Sequence, residues 1–340
     1  MRVTRIAGLS LAALAAVLWA LGVTILQPLT EPIGPWPEAL PVEGTYWARD
    51  LRFSAIVAVV LGLVLAGRGD RRQTIPAVVL GGLWVAADVA VDRLDLSGAG
   101  PTVLLAAAGC AAVATAALPG VRRHPPVADR RVLVSAACVA AVSALVAAVI
   151  ESPTGREPEL TWATVSTALL LVALAAGCAL AAAPASGSGR RGSVAALAGL
   201  TAVGVVLLRV PTLGARIPLA ILLGAALLIG ITFVAWDRPG GGPEWRWHAL
   251  GGLGAVVGAP TMLFLAVLAM VKLRVGAPFT ALAGNTAIEA AGNDVLYSLA
   301  GLLAGLGTAL LLAWPPALGH RPAAAGRPGR PDVPPATRSA

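Results

Sequence analysis

The sequence predicts an all-α, polytopic membrane protein of about ten transmembrane helices, with N-terminus and C-terminus both cytoplasmic. Three observations carry this. Of 340 residues, 57% are hydrophobic and 12% charged, where soluble domains average about half and a quarter; that excludes a soluble globular chain and a disordered one. The apolar residues fall into runs of the length that crosses a ~30 Å hydrocarbon core. Arginine is concentrated in alternate connections between those runs.

Taken in order, the expected spans are 6–27, 53–67, 75–94, 101–119, 132–151, 160–183, 193–210, 217–236, 249–271 and 295–314. The first follows Arg2 and Arg5, as a signal peptide would. Its apolar run from Ile6 to Leu26 is longer than a secretory core of about 7–15 residues, and no small-x-small site closes it before Gln27 and Pro28. It reads as an uncleaved first helix. The second and seventh spans are short and borrow flanking residues. The helical bundle then occupies 1–314. The stretch 315–340, rich in Pro, Ala, Gly and Arg, reads as a disordered cytoplasmic tail. The longest outer connections, 28–50 and 272–294, are too short for an independent core.

Orientation follows from the basic residues. With the N-terminus inside, 17 of the 25 Lys and Arg residues fall on the inner side and 12 of the 17 acidic residues on the outer. The reverse orientation would break the positive-inside rule. The net charge of +8 therefore faces anionic headgroups. The lipid bilayer, with other membrane subunits as further candidates, is the expected partner, and nucleic acid is not. Arg-for-Lys usage with abundant Ala, Gly and Val points to a GC-rich bacterial genome and a cytoplasmic (inner) membrane. Trp236, Trp245, Trp247 and Trp314 fall at the inner boundary and Trp47 and Trp162 at the outer one, where indoles prefer to sit. Trp19 and Trp84 fall within spans.

Several chemistries are excluded. Cys110, Cys138 and Cys178 each lie inside an apolar run and read as small packing residues. His124, His248 and His320 do not pair at metal-ligand spacing. No Walker A, HExxH or GxSxG sequence is present, and no span carries a voltage sensor's arginine series. The sequence calls for no cofactor and no metal, and it marks no catalytic residue.

Ionisable residues at membrane depth are costly and are the default functional candidates. Asp88, Asp92 and Asp95 lie at i, i+4 and i+7 in the third span, on one helical face, with Trp84 four residues earlier. Counted from Ile75, Asp88 is ~20 Å into the span at 1.5 Å per residue, or ~10 Å below the outer edge of the core. Asp92 and Asp95 read as interfacial and wet. Asp88 needs either a water-filled cavity, as an ion or proton site would have, or an ion-pair partner. Arg52 and Arg209, at the outer ends of the second and seventh spans, are the candidates for the latter. In the last outer loop, Asn285, Glu289 and Asn293 repeat every four residues, with Pro278 suited to a first helical turn. This predicts an interfacial or re-entrant helix. GxxxG pairs at Gly254/Gly258 and Gly301/Gly305 predict close helix approach, and Pro260 predicts a kink.

The candidate solute or ion pathway is therefore Asp88, Asp92, Arg52, Arg209, Glu289 and Asn285. The ten-span plan with both ends inside is similar, in topology alone, to that of drug/metabolite-type transporters. The expected function is transporter- or permease-like, for a small or amphiphilic solute. A non-transporting scaffold or subunit of a larger complex is the alternative. A lipid-linked transferase is a further one, since such enzymes keep acidic residues in the first outer loop, where this chain has Glu31, Glu38 and Glu43.

Overall fold

The computed structural model describes residues 2–30, 46–118, 128–152, 157–183, 188–210, 213–236, 245–285 and 295–313. The regular elements among them are all helical. They are α1 (Arg2–Leu21), continued through a π-helical turn at Gly22–Leu26 into α2 (Gln27–Thr30); α3 (Trp47–Ala66); α4 (Arg71–Asp92); α5 (Ala99–Ala117); α6 (Arg130–Val149); α7 (Glu157–Ala182); α8 (Ser188–Leu207); α9 (Leu213–Ala235); α10 (Trp245–Leu253), continued through a π-helical turn at Gly254–Gly258 into α11 (Ala259–Leu273); α12 (Gly276–Ala283); and α13 (Tyr297–Leu312). Each stretch expected to span falls on one of these helices. The expected tail, 315–340, lies outside the described residues.

Among the described residues, seven segments are long and apolar enough to cross a membrane: Arg2–Thr30, Arg71–Asp92, Ala99–Ala117, Arg130–Val149, Leu160–Ala182, Gly214–Ala235 and Trp245–Leu273. Gly192–Leu207 and Tyr297–Leu312 are shorter apolar helices. α3 is long enough, but its first two turns hold Arg49, Asp50 and Arg52. The chain is thus an all-α protein with the helices of a multi-pass membrane protein.

Burial sorts the helices. In α6, 78% of the most apolar window is buried, against 11% in α5, so α6 is central and α5 peripheral. α1 packs chiefly on α3, and α6 on α7 and α13. The outward faces of α4, α5, α8, α9 and α11 carry exposed Ile75, Leu83, Leu104, Leu200, Leu222 and Phe264, the surface expected to meet lipid. The glycine pairs act as anticipated. A Cβ at Gly305 would lie 2.6 Å from the Val139 Cα, and one at Gly258 2.9 Å from a Leu311 methyl. The closest approach to backbone is elsewhere: a Cβ at Gly8 would meet the Ala66 nitrogen at 2.5 Å and the Gly62 carbonyl at 2.6 Å.

Both π-helical turns have one cause. A proline lacks the N–H that would bond four residues back, and its ring crowds that carbonyl. Pro28 and Pro260 each lie two residues beyond a π-turn, which absorbs the mismatch locally. The Thr24 carbonyl released by Pro28 is taken by the Gly98 N–H at 3.3 Å. The kink expected at Pro260 therefore takes the form of a π-bulge.

Polar links between helices form two layers. At the end where α1 begins, Arg5 donates to the Ala117 carbonyl at 3.0 Å. Asp70 and Asp129 cap α4 and α6 by accepting from Arg72 N and Arg131 N, each at 3.0 Å. Arg71 and Asp129 pair at 3.3 Å, and Arg130 donates to the carbonyls of Ala182 and Ala235. His248 stacks on Phe233, with ring centroids 4.7 Å apart, and lies beside Trp236. The opposite layer joins the end of α2 to the starts of α3, α5 and α13, and is described below. Trp47 belongs to that second layer but is buried in protein, against Leu26, Leu51 and Leu160. It is not the lipid-interface indole its position suggested.

The thiols sit where packing residues should. Cys138 and Cys178 are buried and Cys110 is half-buried. A membrane-impermeant maleimide is expected to label none of the three in intact cells. Rapid labelling of Cys110 or Cys178 would instead reveal an aqueous path to these thiols.

Candidate functional site

α4 presents an inverted face to the bundle. Its buried residues are Ala77, Gly81, Trp84, Asp88 and Asp92, a single stripe at helical spacing. Ile75, Val78, Val79 and Leu83 point away from it. Beyond its first turn, the charged side chains of this helix are inside and its large aliphatic ones outside, as suits a helix facing lipid rather than water.

The cation that meets this stripe is Arg52. α3 begins at Trp47, six residues before the expected span, so Arg52 lies inside the helix with 1% of its surface exposed. Its stem passes Gly22, where a Cβ would stand 2.6 Å from Arg52 Cγ; the absent side chain makes the room. Arg52 Nε lies 3.1 Å from Asp88 Oδ1 and NH1 2.7 Å from Asp92 Oδ1. The same NH1 donates to Gln27 Oε1 at 3.2 Å. One guanidinium thus serves two carboxylates from one helix and an amide from another.

The network is closed on both sides. From α1, Trp19 Nε1 donates to Asp88 Oδ1 at 2.7 Å, and its ring meets Trp84 edge-on at 5.4 Å. The two tryptophans expected within spans are there to hold and shield the charge. From α12, Asn285 Nδ2 donates to Asp92 Oδ2 at 3.3 Å. That placement depends on Gly284, whose φ of 79° lets the helix end with the Asn285 N–H turned back to the Thr280 carbonyl. Next to it, Arg49 donates to Thr280 Oγ1 at 2.7 Å and to the Gly276 carbonyl at 3.3 Å, and lies over the Tyr46 ring. Asp50 Oδ1 accepts from Ser298 N at 2.8 Å and Ser298 Oγ at 2.7 Å. Five buried ionisable side chains therefore tie α3 and α4 to α12 and α13.

Of the residues singled out from sequence, Asp88, Asp92, Arg52 and Asn285 come together. Arg209 does not join them: it donates to the Ile150 carbonyl at 3.1 Å, at the end of α6, near the pair of Arg216 and Glu151 at 3.4 Å. Glu289 lies outside the described residues, as do Glu31, Glu38 and Glu43 of the first loop. Asp92 is buried rather than wet, because α12 covers it. The helix around Pro278 exists, but it ends at Ala283, so Asn285 stands beyond its end and not on a helical stripe.

Trp19, Gln27, Arg49 and Asp50 were missed by sequence reasoning. Only Trp19 had a signal there, as a polar-edged ring within a span. Among the described residues no cluster of His, Cys, Asp and Glu is arranged to hold a metal ion. No protein-family model, curated protein or solved structure matches this chain.

Proposed function

We propose that the chain is a ten-span protein of a bacterial cytoplasmic membrane, with both termini in the cytoplasm, and that it works as a transporter- or permease-like protein for a small or amphiphilic solute. The two polar layers support the ten-span count. Each links only helix ends that share a side if consecutive spans alternate in direction, α3, α8 and α13 included. The layer holding Arg5, Arg68, Arg71 and Arg130 is then the cytoplasmic one.

The observation that carries the functional reading is the enclosed network of Arg52, Asp88 and Asp92, roofed by α12 and Asn285. A bundle in lipid gains nothing from charge that small apolar residues could not supply by packing. Charge kept at this depth therefore marks the pathway. In this reading the network is the closed outer gate, and α12, flanked by the left-handed residues Arg274 and Gly284, is the piece that lifts from it.

A second reading has its own observation. The described void between α7, α8 and α9, lined by Ala176, Leu197 and Leu227 among others, has about 10 Å³, the lower limit for a single water. A void this small where these three helices meet suits a scaffold or a subunit of a larger complex.

Reporter fusions after Gly67, Gly120, Gly187 and the C-terminus should report cytoplasm, and those after Glu43 and Gly155 the outside. Termini on opposite sides would overturn the topology. For the function, Asn285→Cys in a cysteine-free background gives a reporter of the gate. In proteoliposomes its labelling rate should change several-fold with at least one member of a panel of small and amphiphilic solutes. A rate unmoved by every solute, with accumulation of none, favours the scaffold.

A further inference from the structure

We propose that Asp88 is a proton-binding site: in this arrangement it is the neutral acid, and the ionised pair is Arg52 with Asp92. The proposal goes beyond the transport reading, and holds whether or not the chain moves a solute.

The first argument is charge. Among the described residues, the buried ionisable side chains in the network are Arg49, Asp50 and Arg52 from α3 and Asp88 and Asp92 from α4, which is two cations for three carboxylates. The elements packed around Asp88 add none: α1 offers Trp19, α2 offers Gln27 and the end of α12 offers Asn285. Tyr46 lies against Arg49, and Tyr297 borders Asp50 through Ser298. An uncompensated negative charge enclosed in protein at membrane depth is expensive. Where two carboxylates crowd one site, one of them takes a proton.

The second argument is independent and says which one. Asp92 has both oxygens engaged, Oδ1 by Arg52 and Oδ2 by Asn285. Asp88 is 0% exposed. Its Oδ1 receives Trp19 and faces Arg52, while its Oδ2 is enclosed with no hydrogen-bond partner. An ionised carboxylate would leave a full acceptor unsatisfied there. The neutral acid keeps a carbonyl oxygen at Oδ1 to accept from Trp19 and puts its hydroxyl at Oδ2. The Trp84 Nε1, on the same face four residues earlier, is likewise buried without a partner. The proton comes from water, Asp88 gains an O–H bond, and nothing is oxidised or reduced.

The test is infrared spectroscopy of the purified full chain at neutral pH, with aspartate carboxyl carbons labelled with ¹³C. The wild type should show a carboxylic-acid C=O band that moves with the label. Asp88→Asn should lose that component and should melt within a few degrees of wild type, because Asn imitates the neutral acid in size and charge. Asp92→Asn leaves two cations for two carboxylates, so Asp88 should ionise against Arg52; the band should be lost there too, with a melting temperature well below that of Asp88→Asn. A wild type without an aspartic-acid band overturns the proposal. So does a band unchanged in Asp88→Asn, or Asp92→Asn melting with the wild type while Asp88→Asn melts far below it. Failure of Asp88→Asn to fold would also contradict it, since a neutral acid should tolerate its isostere.

Discussion

Replacing Arg52 by methionine should cost about 3–5 kcal/mol, the range found when one partner of a buried ion pair is removed. Methionine matches the arginine stem in length and fills the channel past Gly22, so the loss reports charge and hydrogen bonds rather than a cavity. Asp92 would be left ionised, facing only Asn285, and Gln27 Oε1 would lose the guanidinium donor. Thermal unfolding in detergent, followed by size-exclusion chromatography, measures the effect. A variant melting with the wild type would mean that Arg52 is reached by water and contributes little. Arg216→Met, at the pair with a partly exposed Glu151, should cost markedly less, because solvent screens that pair.

Gly8→Ala should be the most damaging single-methyl change in the bundle, at about 1–3 kcal/mol or more. Its Cβ would lie 2.5 Å from the Ala66 nitrogen and 2.6 Å from the Gly62 oxygen. Those are backbone atoms of α3, which cannot turn aside as a leucine methyl can. α1 and α3 would have to separate, and Trp19, Gly22 and Arg52 lie across the same interface. The control is Gly82→Ala on α4, where nothing lies within 4 Å. It should be neutral or stabilising, since alanine is favoured over glycine in a helix by about 1 kcal/mol. Equal melting temperatures for the two variants would show that the α1–α3 approach is looser than described.

The sequence made the helices legible because hydrophobic length is a strong signal when the solvent is lipid. It misjudged ends where charge and burial coincide. The start of α3 was placed at Phe53 because Arg49, Asp50 and Arg52 read as a water-side flank; the helix continues through them because Asp92, Thr280 and Ser298 meet these charges inside protein. Asp88 was visible as a charge too deep to be bare, and Arg52 as one of two possible partners. Nothing in the sequence separated Arg52 from Arg209, since that choice depends on which helix packs on α4. Trp19, Gln27 and Asn285 converge from distant parts of the chain, and one sequence carries no record of such contacts. The Gly8–Gly62 crossing has no GxxxG spacing to announce it, because each helix contributes a single glycine.

The account rests on Arg52 and Asp92 being a buried, ionised pair at the meeting of α3, α4 and α12. A double-mutant cycle with Arg52→Met and Asp92→Asn measures this most directly. Arg52→Met should destabilise by several kcal/mol and Asp92→Asn by less, because Asp88 can ionise against Arg52; the double variant should recover a large part of the Arg52→Met loss, because Asp92 is then no longer a buried charge left alone. Losses that simply add would contradict the pairing, and with it the closed network at the centre of this reading.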